Sequence, residues 1–415
     1  MMADSSRKIT RRELLKLSAV AGAGVAIGAS GLGAVTALSE GGFSKSTVSK
    51  VNDEELIVPF YGEHQAGIIT PQQTNMYIAS FNLMTNDRKD VINLLKDWTS
   101  LSNILSKGKV KDDDTVNDFQ SPTDTGESED LTPSRLTITF GFGPSFFMKD
   151  GVDRYGVAKH KPKYLKDIPA TNGEVLQEHL VGGDLCIQVC ADSQQVAFHS
   201  IRNLIRAASG TALVHWMQQG FINVPDGGKT PRNLFGFKDG TANPSADDQK
   251  SLQEMVWAGD NEPEWMKAGT YMACRKIQMF LEMWDRTSLK AQEDTFGRKK
   301  SSGAAYGSVG EHDEVDTSQL PNVSHTRIAK ETGQRILRRA YSYMDGMDQV
   351  TGNMDAGLMF ICFQRNPDKQ FVPMLKKLSQ IDMMNEYIKH IGSAMFACPG
   401  GIKKGEYVAQ RLFES

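Results

Sequence analysis

Two segments of this chain, G-D-L-C-I-Q-V-C-A-D from Gly183 and G-L-M-F-I-C-F-Q-R-N from Gly357, read as one strand written twice. A repeated strand implies a repeated unit around it, and that constrains the fold more than any other feature. In the first unit Ala66–Thr85 reads as strand and Lys89–Ser102 carries apolar residues at helical spacing. Leu136–Phe142 and Asp184–Ala191 alternate with period two, and Ser193–Ser209 follows as a helix. The order is strand, helix, strand, strand, helix. In the second unit Tyr271–Trp284 is strand-rich, and Gly357–Gln364 precedes an apolar-periodic segment, Phe371–Tyr387. The pattern predicts an α+β fold of duplicated ferredoxin-like domains, of the dimeric α/β-barrel type, with antiparallel sheets and helices packed outside. Residues 38–225 form the first domain and 226–415 the second. A doubly wound nucleotide fold is excluded, because no G-x-G-x-x-G sits between a strand and a helix and no G-x-x-x-x-G-K-[ST] occurs.

Length agrees with duplication, since 415 residues exceed one ordinary core. With 47 Lys and Arg against 50 Asp and Glu there is no basic field, which argues against nucleic acid and for small-molecule partners. The five cysteines form no C-x-x-C pair, so a disulfide scaffold, a zinc ribbon and a c-type haem attachment drop out. The first 37 residues read as an address. A charged stretch from Ser6 to Lys16 contains Arg11-Arg12, and Leu17–Ser39 is uncharged and rich in Ala and Gly. Its glycines make it a poor membrane span, and the pattern resembles a twin-arginine export signal cleaved after Val35-Thr36-Ala37. Such signals export folded proteins, so a bound cofactor is expected. Residues 107–131 are polar and acidic and read as a surface loop whose charge faces solvent.

Three patches carry chemistry. In Asn233–Pro244 two glycines bracket Asp239, so backbone can approach a flat ligand while the carboxylate points at it. On turn chemistry alone, a β-turn aspartate accounts for the same pattern. Pro321–Ile328 contains His325 on a polar segment, where a packed or hydrogen-bonded histidine is the common case. No H-x-x-x-H pair occurs to support a multi-histidine metal site. Arg335–Tyr343 sets Arg338-Arg339 beside Tyr341 and Tyr343, which also suits a solvated basic turn.

Together and in this order, the patches resemble the dye-decolourising peroxidase family of haem enzymes, in particular its exported deferrochelatase/peroxidase branch from bacterial iron uptake. The resemblance spans nearly the whole mature chain, to the closing G-S-A-M-F-A-C-P-G-G-I. It implies haem b bound in the second half, with His325 as axial iron ligand and Asp382 hydrogen-bonded to it. Asp239 lies on the peroxide side, with Gly240, Thr241 and Ala242 beside it and Asn243 helping to hold peroxide or water. Arg338 is the distal arginine, with Arg339 as the alternative. Phe360 lies against the haem, and Lys330, Glu331 and Thr332 fall where propionates are held, although A-K-E-T-G-Q stands here where relatives often have A-N-P-R. The implied partners are hydrogen peroxide, small aromatic or dye substrates or ferrous iron, iron-permease proteins and a second copy of the chain, with no nucleic acid. Alternative functions are release of iron from intact porphyrin and non-catalytic haem carriage. Surface aromatics are the implied electron exits, with Tyr341, Tyr343, Trp257, Trp265 and Trp284 as candidates, although the same residues also read as plain core or interface aromatics without a redox role.

Overall fold

The computed structural model describes residues 56–110, 119–225, 227, 229–245 and 247–414. The export signal at 1–37 therefore lies outside the described residues. The first half runs β1 (Asn75–Leu83), α1 (Arg88–Leu105), β2 (Thr137–Phe142), β3 (Leu185–Ala191), α2 (Gln194–Ala207) and β4 (Ala212–Phe221). β1 pairs with β3 and β4, and β3 with β2, all antiparallel, giving the ferredoxin-like order β4-β1-β3-β2. The second half runs β5 (Thr270–Met279), α3 (Leu289–Phe296), α4 (His325–Glu331), β6 (Leu337–Arg338), β7 (Tyr341–Met347), β8 (Met354–Gln364), α5 (Phe371–Ile381) and β9 (Ile388–Cys398). Its order, β9-β5-β8-β7, is the same topology. The two glycine-led segments become β3 and β8, each an inner strand of its sheet, which is why both are nearly continuous apolar runs.

The two sheets close into one barrel at two narrow seams. Phe142 pairs with Ala397 between β2 and β9, and Phe221 pairs with Ser342 between β4 and β7. A glycine precedes each seam residue. A Cβ on Gly141 would lie 2.8 Å from the Phe396 Cβ, and one on Gly220 would lie 2.6 Å from the Tyr341 Cβ, so neither seam closes with a side chain there.

α1 and α2 cover the first sheet. Asp87 caps α1 by accepting from the Lys89 N–H, and Ser193 caps α2 by accepting from that of Val196. Trp98 is buried between them and the sheet, its indole donating to the Leu204 carbonyl at 2.8 Å. Boundaries depart from the sequence pattern where side chains intervene. The strand expected over Tyr271–Trp284 stops at Met279 and gives way to a short helix, Leu281–Asp285. The helix expected over Phe371–Tyr387 stops at Ile381, because Asp382 accepts from the Met384 N–H and starts a new turn. Within the acidic stretch, residues 119–131 are also less solvated than expected. Asp124 and Ser128 hold the buried His199 ring at 2.6 and 2.7 Å, and Thr125 accepts from Asn203, pinning this segment to α2.

Candidate active site

The Asn233–Pro244 segment folds on itself. The Asn233 carboxamide oxygen accepts from the N–H groups of Phe235 and Phe237, and Asp239 N–H reaches the Pro231 carbonyl at 2.9 Å. Gly240, at φ +98°, lets the chain turn so that Asn243 N–H returns to its carbonyl. Asp239 emerges with its carboxylate 2.5 Å from the Arg338 guanidinium, the two side chains 12% and 28% exposed. Arg338 is held on β6, opposite Cys362 of β8. Asn243 holds it from the other side: its amide donates to the Arg338 carbonyl at 2.7 Å and accepts from the Arg338 N–H at 2.9 Å. Asn243 thus acts as a strand partner for Arg338, with both ends of its amide engaged on backbone, where the sequence suggested a contact to peroxide. Arg339 turns away and is buried, so of the two arginines Arg338 meets Asp239.

His325 opens α4, and its Nδ1 lies 2.6 Å from Asp382 Oδ2. The other carboxylate oxygen accepts from Met384 N–H at 2.9 Å, and Met383 N–H is tied to the Val323 carbonyl, so Asp382 cannot swing away. A carboxylate accepts only, so Nδ1 carries the proton and the Nε2 lone pair is left free. Among the described residues Nε2 has no hydrogen-bond partner, and the ring is a quarter exposed. An aromatic cluster links the two polar ends. Phe296 meets the His325 ring edge-on with centroids 6.4 Å apart, and Phe237, two residues before Asp239, stacks on Phe296 at 4.0 Å. Trp284, Ile277 and Leu358 complete this cluster, with Phe360 packed against it. A neutral imidazole with a free lone pair, an apolar and aromatic lining and an acid–arginine pair are the donor set a haem requires. His325 would hold the iron, and the aromatic cluster would meet the porphyrin faces.

The other sequence candidates separate. Thr241 donates to Glu311 at 3.0 Å, and Ala242 is exposed. Lys330 and Glu331 are exposed, Glu331 bonded to Arg327 at 2.8 Å and Lys377 at 3.2 Å, and the Thr332 hydroxyl bonds back to the Ala329 carbonyl. Phe360 stacks on Phe371. The five candidate electron-exit aromatics are all buried, as core aromatics are: Tyr341 and Tyr343 at 0%, Trp257 and Trp284 at 2% and Trp265 at 4%. Two residues without a sequence signal support the site. Burial opposes ionisation of Glu311, yet hydrogen bonds from Thr230, Lys238 and Thr241 outweigh it and hold its carboxyl below the usual range. Arg298 donates to the carbonyls of Gly303 and Glu311; burial lowers its pKa, and the nearby Arg338 charge adds to the lowering against Glu311.

A barrel of two ferredoxin-like halves with one such donor set defines a haem enzyme, and comparison with known proteins narrows the class. Residues 65–222 match the model described as Dyp-type peroxidase, N-terminal, and residues 230–403 match Dyp-type peroxidase, C-terminal. The chain belongs to the Dyp-type peroxidase family, and it is a haem-binding peroxidase. It is 36% identical over 373 residues to the deferrochelatase of Escherichia coli strain K12, covering 85% of this chain and 86% of that protein. Ferric DtpA from Streptomyces lividans superposes with a TM-score of 0.79 at 36% identity, covering 86% of this chain and 97% of that one. A DyP-type peroxidase from Cellulomonas bogoriensis gives 0.79 at 35% identity, covering 88% and 100%.

Proposed function

We propose that Asp239 and Arg338 are the groups that handle hydrogen peroxide and that His325, held by Asp382, would hold the haem iron. Haem b, when bound, supplies the iron that takes two electrons' worth of oxidation from peroxide and passes it to donors one electron at a time. Asp239 accepts the proton of the incoming peroxide and returns it to the departing oxygen. Arg338, charged at any working pH, stabilises the negative charge that grows as the O–O bond breaks. Asp382 fixes the imidazole tautomer and raises its basicity. The carrying observation is that Phe296 and Phe237 connect the His325 ring to the segment that bears Asp239, which is paired with Arg338. Stopped-flow reaction of the haem-loaded protein with peroxide tests it: His325→Ala should remove the Soret band, and unchanged haem content in that variant overturns the assignment.

Small phenols, dyes or ferrous iron are the proposed electron donors, in a bacterial iron-acquisition setting. A second reading, release of iron with the porphyrin intact, is favoured by the deferrochelatases that align over most of the chain. Recovery of metal-free protoporphyrin from haem incubated with the protein decides it. The twin-arginine pattern supports export to the cell exterior, the cell envelope or the periplasm, and cell fractionation tests that. Iron-permease proteins and a second copy of the chain complete the proposed partners, for which co-purification and light scattering are the measurements.

A further inference from the structure

Arg338 lies on a strand of only two residues, and the chain turns at Arg339 and Ala340 before β7 begins. So short a ladder does not by itself fix where a long side chain points. Both turn residues are gripped from the first half of the molecule. The Gln72 amide donates to the Ala340 carbonyl at 2.7 Å. The Arg339 side chain, 4% exposed, crosses to the first half, where its guanidinium donates to the Thr70 carbonyl at 2.5 Å and to the Gln73 side-chain oxygen. Gln73, fully buried, spends its amide N–H groups on the Arg135 carbonyl at 2.7 Å and Thr137 Oγ1 at 3.1 Å, so its oxygen has only one direction to face. Among the described residues no carboxylate pairs with the Arg339 guanidinium. Its other neighbours are the Cys190 thiol and the Tyr341 phenol, and burial suppresses ionisation of the phenol. A buried cation carried on neutral oxygens leaves no cheap alternative position, because any displacement strips it of acceptors it cannot replace.

We infer that Thr70–Gln73 of the first half is a clamp that positions the distal arginine, with Gln72 and Arg339 as positioning residues that act through Arg338. The two halves therefore share one site: the second supplies the groups that meet peroxide, and the first sets the direction of one of them. The inference rests on the distal role proposed for Arg338. Gln72→Ala removes one bond to the turn and leaves every Arg339 contact in place, so the protein folds.

The test is a double-mutant cycle of Gln72→Ala and Arg338→Leu on the haem-loaded ferric protein, read by the fluoride dissociation constant and by the second-order rate with peroxide. Amide hydrogen exchange at residues 338–340 of the haem-free Gln72→Ala variant is measured alongside. The clamp predicts that Gln72→Ala weakens fluoride binding and slows the peroxide step by about fivefold, and that both effects vanish in the Arg338→Leu background. Faster exchange at residues 338–340 accompanies them. If the two substitutions multiply instead, or Gln72→Ala leaves fluoride binding and exchange unchanged, the clamp is refuted while the distal role of Arg338 stands. If Arg338→Leu alone changes neither quantity, the distal role falls and the clamp with it.

Discussion

The two halves share a strand order and differ in what fills the connection from their first strand to their second. In the first half, residues 84–136 contain α1, 18 residues long, whose buried Val91, Leu94, Leu95, Trp98 and Leu105 cover the sheet. In the second, residues 280–340 break into the short helix Leu281–Asp285, α3 of 8 residues and α4 of 7, with α3 ended by Gly297 at φ +73°. A long amphipathic helix closes a sheet face, whereas short helices leave ends and gaps between them. His325 begins one such helix, and Arg338 follows its end on β6. The same fold therefore carries an unbroken helical cover in one copy and an interrupted one in the other, and the difference resides in helix interruption rather than in topology.

On that contrast, substitutions at the site of the second half change chemistry, and substitutions in the first half's core, away from Thr70–Gln73, change stability. The largest effect falls on His325→Ala, which should leave little haem bound, measured as Soret absorbance per chain. Arg338→Leu comes next. Loss of one preorganised charge donor costs ~2.7–4 kcal/mol, so the peroxide step should slow by about a hundredfold or more. Asp239→Asn should slow it less, by about tenfold relative to Arg338→Leu, because ordered water can relay part of the proton transfer. The opposite order in stopped-flow rates would make the carboxylate the principal group. Asp382→Asn keeps a partner for the imidazole but removes its charge, and should weaken haem affinity by ~10–100-fold. Trp98→Ala carries the contrast to its other side: it should remove ~3–5 kcal/mol of folding stability and leave the peroxide rate per bound haem unchanged. A changed rate in that variant would show that the first half reaches the site through its core as well as through Thr70–Gln73.

Much of this was legible in the sequence, for identifiable reasons. Burial on both faces makes β3 and β8 apolar throughout, so the duplication showed directly. Asp239, His325 and Arg338 sit in short local motifs, and Asp382 followed from the family resemblance. What stayed hidden was contact across sequence distance. Gln72 meets Ala340, Arg339 meets Gln73 and Thr241 meets Glu311, and no periodicity marks such pairs. Glu311 lies in an acidic stretch whose composition matches a solvated loop. Depth was equally hidden: the sequence left Tyr341, Tyr343, Trp257, Trp265 and Trp284 open between surface exits and core aromatics, and packing buries them all.

The smallest predicted effect concerns a second contact between the halves, which acid should loosen. Arg275 of β5, 1% exposed, donates to Glu174 at 2.5 Å, to the Ser393 hydroxyl at 2.8 Å and to His390 Nδ1 at 3.1 Å. Burial, and then the Arg275 charge, push His390 down to about 3. An unfolded histidine titrates near ~6.5, so between those values the unfolded chain binds the extra proton and the folded one does not. The stability contributed by the neutral ring is complete above pH ~6.5 and is lost as pH falls toward about 3, by up to ~1.4 kcal/mol per pH unit. Burial opposes ionisation of Glu174, but the Arg275 and Thr171 hydrogen bonds outweigh it and lower its pKa, so its contribution is lost only below the ordinary glutamate range. Loss between pH 6.5 and 5 therefore belongs to His390. His390→Gln should unfold at a lower temperature than the parent at pH 7.5 and show a flatter decline down to pH 5. Thermal unfolding of both proteins across that range measures it, and parallel curves would assign the acid sensitivity to another group.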